Sequence, residues 1–235
     1  MNNDYEEVVY FNFDFSINKP AGLFVYLNKN EKRTEMEFHG WPRSITKSHI
    51  PQLEGAGIVL HIRDLPAIKA KENTVSETVR EHTVRSIDLA NDIIQDMIVF
   101  IRDNCTTGNV KLYLASEGLS FMSKGDAGLN LAGYKFVFLG KVYETFKDIT
   151  IMTYAPMTIK STAGCAGKKS SNVKEPMIEA FIKEEIDHPF TAMLDEGDLL
   201  NSGGKNYVSM VDDLCDSYWV YRTLINDIYD LKKWK

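Results

Sequence analysis

The sequence predicts an α/β protein built on a mixed five-stranded sheet flanked by helices. Three observations carry this expectation. Residues 8–38 hold strand-like runs separated by turn signals, the pattern of a meander. Residues 74–101 place apolar side chains at helical spacing over an unusually long stretch. Beyond them, apolar runs that read as strands alternate with helical segments, the order that lays helices on the faces of a sheet through right-handed crossovers.

The elements follow in order. Residues 8–14 (VVYFNFD) are rich in β-branched and aromatic side chains and read as a buried strand ending on the carboxylate of Asp14. Pro20-Ala21-Gly22 turns the chain, LFVYLN (23–28) reads as a second strand, and Asn28-Lys29-Asn30 marks a hairpin turn into a third strand over 34–38. Residues 40–55, with Pro42 and Pro51, read as a loop, and GIVLHI (57–62) as a further strand or a buried continuation. Val75, Val79, Val84, Ile87, Ala90, Ile94, Met97, Ile98 and Ile101 form one face of a long amphipathic helix, with Asn73 or Thr74 as its cap and Glu77 in its first turn. VKLYLA (110–115) reads as a central strand with Glu117 just past its end. Residues 134–146 read as a helix despite their aromatics, because another strand, 149–154, follows directly. A short helix is expected over 175–185, a flexible link at 201–204, and a last helix over 208–229 with Asp213 and Asp216 near its start.

A chain of 235 residues, 44% hydrophobic and 26% charged, reads as one domain spanning 1–235 that can bury a core without disulfides or structural metal. Its 27 basic and 33 acidic residues exclude a uniformly basic nucleic-acid wrapper while leaving room for a local basic patch. Such a patch is visible: residues 149–174 hold Lys160, Lys168, Lys169 and Lys174 and no acid. Residues 184–198 are the converse, six acids and no base. The three cysteines, Cys105, Cys165 and Cys215, form no metal-binding pair, and their odd number points to a reducing compartment. The start, MNNDYEEVVYF, lacks the features of a signal peptide, and the apolar run IIQDMIVFI is short and broken by Asp96. A cytoplasmic protein with no membrane span is expected.

Carboxylates from three separate segments are candidates to meet. Asp14 ends the first strand, Glu117 follows the central one, and Asp213 and Asp216, three apart, share one side of the last helix. Carboxylates are hard oxygen ligands suited to Mg²⁺ or Mn²⁺, and clustered acids repel unless cations neutralise them. Two such ions roughly 3.5–4 Å apart activate water and hold a phosphate in phosphodiester hydrolysis. Each acid also has a plainer role. A carboxylate at a strand end is commonly solvated, and Asp213 and Asp216 would complement the positive end of their helix.

The sequence around these acids resembles the RuvC family of Holliday-junction resolvases. In residues 112–181, beginning LYLASEG, a strand leads into Glu117, and Pro156, Lys160, Gly164, Gly167 and Lys168 follow in the family's order. DDLCDSYWVYRTL (212–224) is similar to the family's closing helix, and VVYFNFDFS (8–16) to its first strand. The resemblance implies a ribonuclease H-like fold. It implies Asp14, Glu117, Asp213 and Asp216 as ligands of two Mg²⁺ ions, with Mn²⁺ as a substitute, and Lys160 near the scissile phosphate. It further implies a homodimer that nicks four-way or other branched DNA in recombination and repair. Where the family carries Asp-Pro-Gly after the first strand, this chain has Asp14-Phe15-Ser16, and residues 184–207 read as an acidic insertion. The divergence and compact length suggest a bacteriophage or other viral version, acting in the host cytoplasm.

Lys124, Lys160, Lys168, Lys169 and Lys174 are the candidate DNA contacts, because acid-free surroundings let their charge act on phosphate. The alternative is an exposed, solubilising loop. The five histidines are scattered, none at ligand spacing, so no histidine metal site is expected. The run GDAGLNLAG lacks the Gly-Lys-Ser/Thr ending of a phosphate-binding loop, so no nucleotide cofactor is expected. Two other readings stay open: a nuclease of terminase or ribonuclease H type, and a catalytically silent junction-binding protein.

Overall fold

The computed structural model describes residues 5–69, 74–118, 126–166, 175–201, 203–204 and 206–229. Its strands are β1 (Glu7–Asp14), β2 (Ala21–Asn28), β3 (Arg33–Gly40), β4 (Ile58–Leu60), β5 (Val110–Glu117) and β6 (Thr150–Tyr154). The helices are α1 (Ile50–Gly55), α2 (Val75–Asn104), α3 (Asp126–Thr145), α4 (Pro156–Thr162), α5 (Glu175–Ile182), α6 (Pro189–Asp195) and α7 (Val211–Ile228). The strands form one sheet in the order β4-β3-β2-β1-β5-β6. β1, β2 and β3 pair antiparallel as a meander; β5 and β6 add parallel on one side and β4 parallel to β3 on the other. The mixed α/β arrangement is as expected, but the sheet has six strands, not five. The sixth is β4, the segment that composition alone left between a strand and a buried continuation. Its three residues pair only with β3, so tertiary register decided the matter.

β1 runs through the middle of the sheet and is covered on both faces, which explains its almost unbroken apolar sequence. Because strand side chains alternate, Val8 and Tyr10 enter one core layer while Val9, Phe11 and Phe13 enter the other. The first layer is closed by α5, α6 and α7, through residues such as Phe181, Phe190 and Tyr218. The second is closed by α2 and α3, through Leu89, Ile93, Met97, Tyr134 and Phe138. The acidic segment 184–207 contributes to the first layer: Phe190, Leu194 and Leu199 are buried there, and Phe190 packs 5.0 Å from Phe38 of β3.

Thr74 caps α2 through a reciprocal box. The Glu77 amide donates to Thr74 Oγ1 at 3.2 Å, and the Thr74 amide donates to Glu77 Oε2 at 2.8 Å. Of the apolar stripe read from the sequence of α2, Ala90, Ile94 and Met97 are buried, whereas Ile87 and Ile98 are exposed and Leu89, Ile93 and Phe100 take their place in the core. Toward its start, Val75 is 83% and Val79 60% exposed. The reason is length: 30 helical residues span about 45 Å, whereas an eight-residue strand spans about 27 Å, so the helix outruns the sheet.

α7 crosses the opposite face. Its N-cap Met210, in the left-handed region at φ 81°, packs on Gly40 of β3, where a Cβ would stand 2.6 Å from the Met210 Cε. Farther along, Tyr221 meets the ring of Tyr10 at 5.8 Å, and Asp227 accepts a hydrogen bond from Tyr154 of β6 at 3.1 Å. Thr223 donates to Thr162 at 3.0 Å, which ties α7 to α4. Among the described residues, no helix is long and apolar enough to cross a membrane.

Candidate active site

β1 and β5 are parallel neighbours, with Phe13 opposite Ser116. Asp14 and Glu117 are the next residue on each strand, so both end at the carboxyl edge of the sheet, side by side. Ligand sites in sheets with parallel strands favour that edge. Alternation sets the side: Tyr10, Tyr113 and Ala115 belong to the layer under α7, and Asp14 and Glu117 share their parity.

Two lysines converge on this edge. Lys135, a buried residue of α3, donates to the backbone carbonyl of Glu117. Burial pulls its ammonium down to about 8, although the charges of Glu117 and Asp14 oppose the shift. Burial likewise raises the Glu117 carboxyl above its ordinary value, and the charges of Lys160 and Lys135 work against that rise. Lys160 sits in the last turn of α4, directly after β6. An Ala155-Pro156 start launches that helix from the end of the strand, with proline in the first turn, where no backbone donor is needed.

Asp213 and Asp216 occupy the first turns of α7 and are partly buried. Both carboxylates add to the effect of burial in pushing the Cys215 thiol up. They lie on the sheet face toward which Asp14 and Glu117 alternate, because α7 packs on that face. The structure thus brings Asp14, Glu117 and Lys160 to one edge and sets Asp213 and Asp216 on the same side of the sheet. Among the described residues, no three of the four acids have ligand atoms within 4.8 Å of one another. Lys124, Lys168, Lys169 and Lys174 lie outside the described residues.

Three features escaped the sequence reading. Lys135 is one; its signal was a cation set between Tyr134 and Phe136 in an apolar stretch of the helix. The second is a cavity of about 260 Å³ lined by Arg43, Arg63, Arg85, His82, Asn18 and Tyr134. Its walls come from α2, α3 and the segments that follow β1, β3 and β4, on the sheet face opposite the Asp14 and Glu117 side chains. Arg63 pairs with Asp92 at 3.8 Å and Arg85 with Glu81, whereas the buried Nε of Arg43 has no hydrogen-bond partner. No local motif joins these arginines, because they come from three separate segments.

The third is a cluster of His39, His61 and Asp96, whose ligand atoms all lie within 4.8 Å of one another. The two histidines are scattered in sequence, yet the β3–β4 pairing sets them side by side. Asp96 announced itself only as a charge interrupting an apolar run.

No protein-family model matches the sequence, and no curated protein matches it significantly. Solved structures do. Thermus thermophilus RuvC is 12% identical, with 93% of this chain and 96% of that chain covered at a TM-score of 0.44. T. thermophilus RuvC in complex with Holliday junction substrate is 11% identical, covering 94% and 96% at 0.44. The Fowlpox virus resolvase in complex with Holliday junction DNA is 11% identical, covering 94% and 98% at 0.46.

Proposed function

We propose that this protein is a metal-dependent DNA endonuclease that cuts branched DNA, with four-way junctions as its substrate and a homodimer as its working form. One observation carries the reading. Asp14 and Glu117 end adjacent parallel strands at the same edge, on the face crossed by the helix that bears Asp213 and Asp216.

The donor chemistry fits the cofactor. All four groups are carboxylates, the hard oxygen ligands that Mg²⁺ and Mn²⁺ take, and Asp14 and Glu117 are fixed on rigid strand ends. When bound, a pair of such ions supplies Lewis-acid polarisation of the phosphate and a lowered pKa for attacking water. The remaining work falls to the protein's own groups. Lys160, close enough to Glu117 for its charge to oppose the burial-driven rise of that carboxyl, is placed to hold the scissile phosphate. Lys135 anchors the end of β5 through the Glu117 carbonyl and puts a positive charge behind both strand-end acids. Arg43, Arg63 and Arg85 line a cavity of a size and charge suited to a backbone phosphate. Lys124, Lys168, Lys169 and Lys174 extend the proposed DNA contact.

The test compares cleavage of a four-way junction, a linear duplex and an RNA–DNA hybrid with Mg²⁺ under identical conditions. Preferential, paired nicking of the junction is the expected result. Equal cutting of all three would reduce the reading to a general nuclease, and cutting of the hybrid alone would replace it with ribonuclease H activity. Sedimentation of the free protein reports on the dimer.

A further inference from the structure

We propose that His39, His61 and Asp96 form a binding site for one divalent transition-metal ion, best suited to Zn²⁺, on the sheet face opposite the carboxylates. Three elements contribute. His39 belongs to β3, His61 follows β4, and Asp96 lies in the buried half of α2.

Two of the three ligand-atom separations match a single ion, and the third, between His39 Nδ1 and Asp96 Oδ2, is within 4.8 Å and would close on binding. His39 Nδ1 lies 3.5 Å from His61 Nε2, and His61 Nε2 lies 3.3 Å from Asp96 Oδ2. A tetrahedral ion with bonds of about 2.0–2.1 Å has edges of about 3.3–3.4 Å between its ligand atoms. As hydrogen bonds the same distances are poor, beyond the usual range for N–H donors.

Proton counting points the same way. The other nitrogen of His39, Nε2, faces Glu37 Oε2 at 3.1 Å. A carboxylate only accepts, so in a neutral imidazole the proton is on Nε2 and Nδ1 presents its lone pair to the cluster. Asp96 Oδ2 also presents lone pairs, and it already accepts from Trp41 Nε1 at 2.7 Å. Three acceptor positions therefore converge, with at most one proton, on His61 Nε2, to share at long range. A cation in that proton's place would bond to all three.

The surroundings are those of a built site. Glu37 fixes the tautomer of His39 and Trp41 orients Asp96, the role that outer-shell groups play around metal ligands. The rings of His39 and His61 are within 6° of parallel, with centroids 5.7 Å apart and Nδ1 of one facing Nε2 of the other, and the ring of Trp41 lies beside both at 5.6 Å. The His61 and Asp96 side chains are 30% and 19% exposed, which leaves an entry path and an open fourth position. The site is separate from Asp14 and Glu117, because His39 stacks on Phe24, a member of the layer under α2. Two imidazoles and one carboxylate favour Zn²⁺ over Mg²⁺, whereas the proposed nuclease site has carboxylates only. An ion here would pin the short edge strand β4 and its neighbour β3 to α2.

The test uses the full chain stripped of metal. Zn²⁺ alone is titrated by calorimetry, and Co²⁺ by its visible absorption. The wild-type protein should take one Zn²⁺ ion with a rise in Tm, and X-ray absorption should show imidazole scattering. His61→Gln should weaken binding by more than about 100-fold, and the solvent-facing Glu37→Gln by about 10-fold or more, the usual range for outer-shell losses. The double variant Asp14→Asn/Glu117→Gln should bind as the wild type does. Three results would each overturn the site: no Zn²⁺ uptake by the wild type, wild-type affinity in both His61→Gln and Glu37→Gln, or loss of binding in the double variant. None of these outcomes bears on whether the protein cuts DNA.

Discussion

Lys135 of α3 donates to the backbone carbonyl of Glu117 at the tip of β5. This contact couples the two sheet faces, because α3 packs on one face while the Glu117 side chain belongs to the other. It also sets the electrostatics of the candidate site. A buried carboxyl is raised, and Lys135 and Lys160 supply the charge that resists the rise. If Glu117 must be ionised to act, Lys135→Met and Lys160→Met should each move the acidic limb of the pH–rate profile to higher pH. Single-turnover cleavage between pH 5 and 8 measures the shift. An unmoved limb in both would detach these lysines from Glu117.

Asp14→Asn and Glu117→Gln keep shape and remove charge. Each should cut cleavage by more than about 100-fold, a larger loss than outer-shell changes cause, while junction affinity is retained or rises as repulsion of phosphate falls. Wild-type cutting by either variant would remove that residue from the site.

Arg43 offers a guanidinium nitrogen with no partner among the described residues. If its cavity takes a backbone phosphate, Arg43→Ala should weaken junction binding across sequences. It should also reduce the slope of log affinity against log salt by about 0.9, the value for one lost contact. The unfolding midpoint should stay put. An unchanged slope assigns the cavity to something other than DNA.

Glu7 lies buried at the start of β1. It accepts from the amides of Thr106 and Thr107 at 2.8 Å each, and from Tyr26 at 2.8 Å. Burial alone would raise its carboxyl, but these donors win and hold it at about 2, below its ordinary 4.5. A depressed acid stabilises the fold above its unfolded value, and the gain disappears as pH falls through the folded one. Glu7→Gln should therefore lower Tm at pH 7, by about 2–4 °C for each kcal/mol lost. The gap should close between pH 4.5 and 2. Equal Tm values at pH 7 would show that the donors are satisfied without the charge.

Phe190 is fully buried against Phe38 and Phe181. Phe190→Ala should cost about 3–5 kcal/mol in chemical unfolding, the range for a large side chain lost from a packed core. A cost below about 1 kcal/mol would make the acidic segment an appendage rather than part of the core.

Local pattern was enough for most elements. β1, β2 and the cap of α2 were legible because strand alternation and a capping box are written in neighbouring residues. The strand-end positions of Asp14 and Glu117 were legible for the same reason. The α2 stripe was read too far toward its start and partly on the wrong side, since Leu89, Ile93 and Phe100 are buried where Ile87 and Ile98 were expected, and periodicity does not report where the covering sheet ends.

By itself, then, the sequence missed the short helices α1, α4 and α6 but determined the five longer strands, the helices α2, α3, α5 and α7, and the placing of two carboxylates at strand ends. These depend on contacts between residues a few positions apart. Tertiary structure alone decided the sixth strand, the approach of Lys135 to Glu117, the meeting of Arg43, Arg63 and Arg85, and the His39–His61–Asp96 cluster. Each of these joins segments distant in the chain. Their proximity depends on which strands pair and how the helices cross them, and no local periodicity records that.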